Sequence, residues 1–203
     1  RGFFEAHPKE FFAFHRQYVL HPGAQPNATH RQLAALEKAG RLHAIVTQNI
    51  DGLHQAAGSR NVLELHGSVH RNHCRDCGET YPQEVVYRAK GIPRCQCGGM
   101  IEPDVVLYED PLDGAVLAAA SQAIAQADML IIGGTSLVVY PAAGLVDYFS
   151  GDRLVVINTA GPGTPRRYHR AGGGVDSAQP LVICHPIGEV FARIEVEVAR
   201  ADG

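Results

Sequence analysis

The stretch VTQNIDGLH, residues 46–54, places Gln48, Asn49 and Asp51 within four positions at the end of a short apolar run. Carboxamides donate and accept hydrogen bonds and a carboxylate accepts them, so this set suits a pocket for a ligand with an amide or hydroxyl groups. A polar surface loop has the same composition, and the stretch alone leaves both readings open. His66, in LELHGS, brings an imidazole, the side chain best suited to exchanging protons at neutral pH. It reads either as a general base or as a structural histidine at a strand end.

A second set has metal chemistry. Cys74-x-x-Cys77 is followed after 17 residues by Cys95-x-Cys97. Two close pairs at this separation suit tetrahedral zinc held by four thiolates, one ion per chain. Such an ion is structural, because four sulfurs leave no position open to a substrate. Free thiols or a redox pair are the other readings. The second pair is one residue shorter than the usual spacing, which tightens its turn. His70 and His73 lie close by without being needed as ligands, and Cys184 falls in an apolar strand, where it reads as a buried small residue.

These residues need elements to position them. HPKEFFAFHRQYVL reads as a helix with Pro8 in its first turn, and Phe11, Phe14 and Tyr18 recur at helical spacing towards a core. NATHRQLAALEKAG reads as a second helix, capped by Asn27, striped by Leu33 and Leu36, and ended by Gly40. LHAIVT, VLEL, DMLII, RLVVI and PLVIC read as short buried strands, with helices DGAVLAAASQAIAQ, PAAGLVDYF and GEVFARIEVEVA between or after them. This alternation predicts an α/β fold, a Rossmann-like parallel sheet with helices on both faces. Residues 1–68 and 108–203 are assigned to that domain and 69–107 to a small inserted zinc-binding module. Residues 159–179, rich in Gly, Pro and Arg, read as a long loop.

Ligands of open parallel sheets bind beyond the carboxyl ends of the strands. The residues following the five strands are QNIDG, HGS, GGTS, Asn158 and HPIG. In GGTS, Gly133 and Gly134 permit close backbone approach, and Thr135 and Ser136 offer hydroxyls, a combination suited to phosphate or simply to a turn. No G-x-G-x-x-G fingerprint is present.

TQNIDGLH, LELHGS, the paired cysteines, PDVVLYED, GGTSLVVYPAA, VVIN and PIGEV occur in this order, and the chain thereby resembles the sirtuins, most closely the bacterial type. These are NAD-dependent protein-lysine deacylases. The resemblance runs from about residue 3 to about residue 199 and implies roles for individual positions. Gln48, Asn49, Ile50 and Asp51 would hold nicotinamide and its ribose, with Asn49 and Asp51 also counted with His66 as catalytic. Gly134, Thr135 and Ser136 would contact the phosphate and ribose region of NAD, Asn158 the adenosine ribose, and Ile187 the adenine. The acyl oxygen would attack the ribose carbon bearing nicotinamide, and His66 would then activate ribose hydroxyls, yielding lysine and O-acyl-ADP-ribose. Val105, Val106, Leu107 and Tyr108, with Leu137, Val138, Val139 and Tyr140, would offer backbone edges between which an acyl-lysine peptide adds as a strand.

Family members begin with a first strand, a Gly-Ala-Gly phosphate loop and a Pro-Asp-Phe-Arg segment that are absent from this sequence. Arg1-Gly2 has only a superficial likeness to the last of these. The 203 residues alone are therefore expected to be poorly active and unstable. Acetyl is the default acyl group. A net charge of −3 and 45% hydrophobic residues fit an ordinary globular protein rather than a nucleic-acid binder. No apolar run reaches membrane-span length, and the expectation is a cytoplasmic monomer. Two other readings keep parts of the pattern: a protein ADP-ribosyltransferase, and a non-enzymatic zinc-bearing interaction module.

Overall fold

Proline at position 8 and the aromatic residues around it open the chain as helices α1 (Gly2–Ala6) and α2 (Pro8–Phe14), followed by a π-helical turn, His15–Val19. The computed structural model describes residues 1–136, 138–159 and 180–195. Next come α3 (Ala28–Lys38), β1 (Ile45–Thr47), α4 (Leu53–Ala56), β2 (Val62–Glu64), β3 (Gly67–Cys74), β4 (Thr80–Pro82), α5 (Gln83–Arg88) and β5 (Ile101–Val105). The chain continues through α6 (Gly114–Ala125), β6 (Met129–Gly133), a 3-10 helix (Ala142–Tyr148), β7 (Arg153–Ile157), β8 (Leu181–Ile183) and α7 (Ile187–Phe191). All five strands read from the sequence are present. The 159–179 loop, apart from its first residue, and the end of the GEVFARIEVEVA helix lie outside the described residues.

The chain divides into two compact units. The first takes residues 1–25, 47–53 and 64–113, the second 26–46, 54–63 and 114–203. In the first unit β3 is the middle strand of an antiparallel sheet, paired with β4 on one side and β5 on the other. Phe4 and Phe12 meet edge to face at 5.8 Å and are buried with Leu20, Val69, Val86 and Ile101. The guanidinium groups of Arg1 and Arg75 lie 5.5 and 5.6 Å from the Phe4 ring centroid. The buried Glu102 carboxylate accepts from Arg1 at 2.5 Å and pairs with Arg75 at 2.9 Å. Two parallel bonds of 2.8 Å join Arg1 to Asp110, and they hold that carboxyl below its usual range.

Phe11 packs against this core as expected, but Phe14 and Tyr18 are 57% and 58% exposed. The helix presents Phe12 and His15 inward instead, and the chain widens into a π turn from His15 onward, so a constant helical period misplaces the residues after it.

In the second unit β6, β7 and β8 form a parallel sheet in the order β6-β7-β8, with Ile131 opposite Val155 and Val156 opposite Val182. Ile132, Leu154, Val156 and Ile157 are its buried residues. Helix α6 packs on the 3-10 helix, and α3 on α7. Asn27 caps α3 by accepting from the His30 amide at 3.2 Å, and Gly40 ends it at φ +69°, both as read from the sequence. The Glu37 carboxylate accepts from the amides of Arg60 and Asn61 and so fixes the approach to β2. Cys184 is exposed rather than buried, because β8 stops at Ile183 and the cysteine belongs to the loop beyond.

Candidate active site

The chain leaves β1 at Thr47, whose hydroxyl accepts from the Asn49 amide at 3.1 Å and turns the backbone. Asp51 then accepts from the Leu53 amide at 3.0 Å, the bond that starts α4. Its other oxygen accepts from the Asn49 carboxamide at 3.4 Å. Gly52 has φ +67°, and a side chain there would meet the His70 ring at 2.6 Å. His70 Nε2 donates to the Asp51 carbonyl at 2.9 Å, and the Val69 amide donates to the Ile50 carbonyl at 3.0 Å. The polar stretch is thus strapped to β3 by one backbone bond and one from the His70 side chain, leaving the Asn49 and Asp51 heads as a hydrogen-bonded pair.

His66 immediately precedes β3. Its Nδ1 lies 3.0 Å from the Gln48 carbonyl oxygen. A carbonyl only accepts, so Nδ1 must carry the hydrogen, and in the neutral ring the lone pair is on Nε2. The backbone of His66 is fixed as well, because its carbonyl accepts from the Val106 amide at 3.0 Å. Gly67 follows at φ +74°, where a Cβ would stand 1.9 Å from the Asp104 carbonyl oxygen. Only glycine lets β3 approach β5 this closely beside the imidazole. The structure therefore brings His66, Gln48, Asn49, Ile50, Asp51 and the Val105–Tyr108 segment into one unit. Within that segment the Val106 and Leu107 amides are engaged, by the His66 carbonyl and by Asp110 at 3.0 Å, while Tyr108 is 85% exposed.

The other predicted residues gather in the second unit, at the carboxyl ends of its parallel strands. Gly133 ends β6, and a Cβ on it would lie 2.2 Å from the Ile187 side chain, so the strand end and the start of α7 touch. Gly134 turns at φ +65°, with its amide donating to the Ile157 carbonyl at 3.1 Å. The Asn158 carboxamide donates to the Thr135 carbonyl at 3.0 Å. Thr135 and Ser136 continue this turn, and Val138, Val139 and Tyr140 beyond it are exposed. Leu137 lies outside the described residues.

All four clustered cysteines come together, with every sulfur within 4.8 Å of the others. Three of the sulfur pairs, Cys74–Cys97, Cys77–Cys95 and Cys77–Cys97, are 3.5 Å apart. Zinc–sulfur bonds of about 2.3 Å in a tetrahedron put sulfurs about 3.8 Å apart, so the donor set and its spacing fit a structural zinc ion. The Tyr81 hydroxyl donates to Cys95 Sγ at 3.0 Å, and that bond with the Cys97 amide pushes the Cys95 thiol down to about 6. The same contact pushes the Tyr81 hydroxyl up to about 12. Sequence reading passed over Tyr81. Its signal was an aromatic residue with a polar tip four positions after Cys77, beside a cluster that needs hydrogen-bond donors.

The Sir2 family model matches residues 1–141 of this chain. The chain belongs to the Sir2 family. A protein of Cutibacterium acnes (strain DSM 16379 / KPA171202) called NAD-dependent protein deacetylase is 53% identical over 189 residues, which cover 93% of this chain and 73% of that protein. One of the same name from Clostridium perfringens (strain 13 / Type A) is 52% identical over 195 residues, covering 95% of this chain and 75% of its own length. Among solved structures, Sir2 with a p53 peptide and NAD+ superposes with a TM-score of 0.80 at 36% identity, covering 95% of this chain and 78% of that one. Sir2 in complex with the inhibitor EX-527, 2'-O-acetyl-ADP-ribose and deacetylated p53 peptide gives a TM-score of 0.79 at 36% identity, with 95% and 80% covered. The resemblance carried by TQNIDGLH and LELHGS is thus borne out, including the bacterial type. No described helix of this Sir2-family chain is long and apolar enough to cross a membrane.

Proposed function

We propose that this chain is an NAD-dependent protein-lysine deacetylase that transfers the acyl group of an acyl-lysine to ADP-ribose with release of nicotinamide. The observation that carries the reading is the His66 imidazole, tied through Nδ1 to the Gln48 carbonyl beside the Asn49–Asp51 pair. Bound NAD would supply the ADP-ribosyl group that accepts the acyl, and one water molecule is consumed as free lysine is released. Everything else falls to residues of the chain. Gln48, Asn49, Ile50 and Asp51 hold the nicotinamide and ribose, Gly134, Thr135 and Ser136 the phosphate and ribose region, Asn158 the adenosine ribose, and Ile187 the adenine. His66 receives a hydroxyl proton on Nε2, and the resulting imidazolium is steadied by its second donor to Gln48. The substrate is a protein or peptide bearing acyl-lysine, for which the Val105–Tyr108 backbone and that of residues 137–140 are each proposed as an edge to which it adds as a strand. A cytoplasmic monomer without nucleic-acid partners completes the proposal. It is supported by the named function of relatives near 50% identity and by the donor sets at the strand ends.

The test is mass spectrometry of an acetyl-lysine peptide incubated with NAD and the protein, beside His66→Ala. Loss of the acetyl mass with formation of O-acetyl-ADP-ribose is expected, with a rate about 10²–10⁴-fold lower in the variant, the range for removal of a general base. A peptide that instead gains the mass of ADP-ribose identifies a transferase, and an unchanged peptide with no NAD binding identifies an interaction module.

A further inference from the structure

We propose that Tyr81 is a positioning residue of the zinc site, whose hydroxyl holds the Cys95 thiolate by a hydrogen bond to its sulfur. The inference rests on the reading of the four-cysteine cluster as a zinc site and names a further residue of that site.

Four thiolates around one zinc ion leave a net charge of −2 on the cluster, and N–H or O–H donors aimed at sulfur disperse that charge and orient the ligands. In the second pair only Gln96 stands between the two cysteines, and the turn is closed by the Gly98 amide on the Cys95 carbonyl and the Cys95 amide on the Gly99 carbonyl. The Tyr81 hydroxyl donates to Cys95 Sγ at 3.0 Å.

Tyr81 is firmly placed for this task. It pairs with Asn72 across β3 and β4, its carbonyl accepts from the Asn72 carboxamide at 3.3 Å, and its ring packs on the core that contains Cys74 and Cys95. Gly99 completes the close packing, since a Cβ there would meet Cys74 Sγ at 2.6 Å.

The experiment compares the zinc-loaded protein with Tyr81→Phe, which removes one oxygen and leaves the ring in the core. Tyr87→Phe, on a half-exposed tyrosine of α5, is the control. Metal analysis should find one zinc per chain in all three. Competition with a chromogenic chelator should show zinc held about 10–100-fold more weakly by Tyr81→Phe alone, the range for loss of a partner behind a metal ligand. With cobalt(II) in place of zinc, the sulfur-to-metal charge-transfer band should move to longer wavelength in Tyr81→Phe, because an unbonded thiolate gives up an electron more easily. Equal zinc affinity together with an unmoved cobalt band would overturn the role of Tyr81 while leaving the zinc reading intact. Absence of zinc from the unmutated protein would overturn both.

Discussion

His66 and His15 show how the same side chain takes opposite assignments from its surroundings. His66 has a carbonyl on Nδ1 and a polar loop beside it, so its ring is held in one tautomer, with the lone pair of the neutral ring on Nε2. His15 is 3% exposed and stacked on Phe11 with ring centroids 5.4 Å apart, and its Nε2 is buried without a partner among the described residues. Burial, reinforced by the neighbouring Arg16, pushes His15 down to about 4. Its folded value lies below the unfolded one of about 6.5, so the unfolded chain binds more protons between those limits. The stabilisation is fully present above about pH 6.5 and is lost as pH falls towards 4, a loss of about 3 kcal/mol from this residue. Urea unfolding at pH 7 and pH 4.5 should show a smaller drop in stability for His15→Leu than for the parent. Equal drops would remove His15 from the acid response. Neither histidine's state could be read from sequence. Residue type marked His66 as a candidate, but its tautomer depends on a carbonyl 18 positions away, and His15 was hidden in a helix whose inward face changes at the π turn.

Strands β1, β6, β7 and β8 and helix α3 were legible because local chemistry specifies them: β-branched runs for the strands, an Asn cap and a terminal glycine for the helix. The sheet around the cysteines was not. GSVHRNHC carries little apolar alternation, and its middle buries Asn72, whose carboxamide donates to the carbonyls of Val69 and Tyr81. β3 is a strand because β4 and β5 pair with it, and its register against β5 shifts between Ser68 and Asn72. Such an irregularity bends a strand and re-aims the residues near it, here next to His66. Gly67 lets the start of β3 lie close against β5, so Gly67→Ala should push β3 from β5 through the clash with the Asp104 carbonyl and the strain of a positive φ. A loss of about 3 kcal/mol or more is expected, lowering the melting temperature by about 6–12 °C for a chain of this size. Hydrogen exchange at the Val106 amide, bonded to the His66 carbonyl, should accelerate with it. A variant that melts like its parent would show that the strand accommodates the methyl group.

At the scale of the molecule, the two compact units are stabilised by different means. The second has a parallel sheet with buried Ile132, Leu154, Val156 and Ile157 and the Leu145, Val146 and Phe149 side chains of its 3-10 region, an apolar core of ordinary kind. The first gathers three separated stretches of chain, and two of its buried core residues, Cys74 and Cys95, are also metal ligands in the zinc reading. Metal binding and folding are coupled where the ligands are part of the core. Removal of zinc with a strong chelator should therefore act unevenly. Backbone bonds that frame the cluster, Cys74 to Glu79, Arg75 to Met100 and Cys95 to Gly99, should lose protection against hydrogen exchange, followed by the rest of the β4-β3-β5 sheet. The bonds from Gly134 to Ile157 and from Asn158 to Ile183, which hold the strand ends of the second unit, should keep theirs. Because the His66 carbonyl is bonded to the Val106 amide just past β5, the same treatment should abolish deacetylation even though the zinc takes no part in the chemistry. If protection fell equally in both units, the molecule would unfold as one body. If activity survived complete loss of zinc, the antiparallel sheet would hold His66 without its metal.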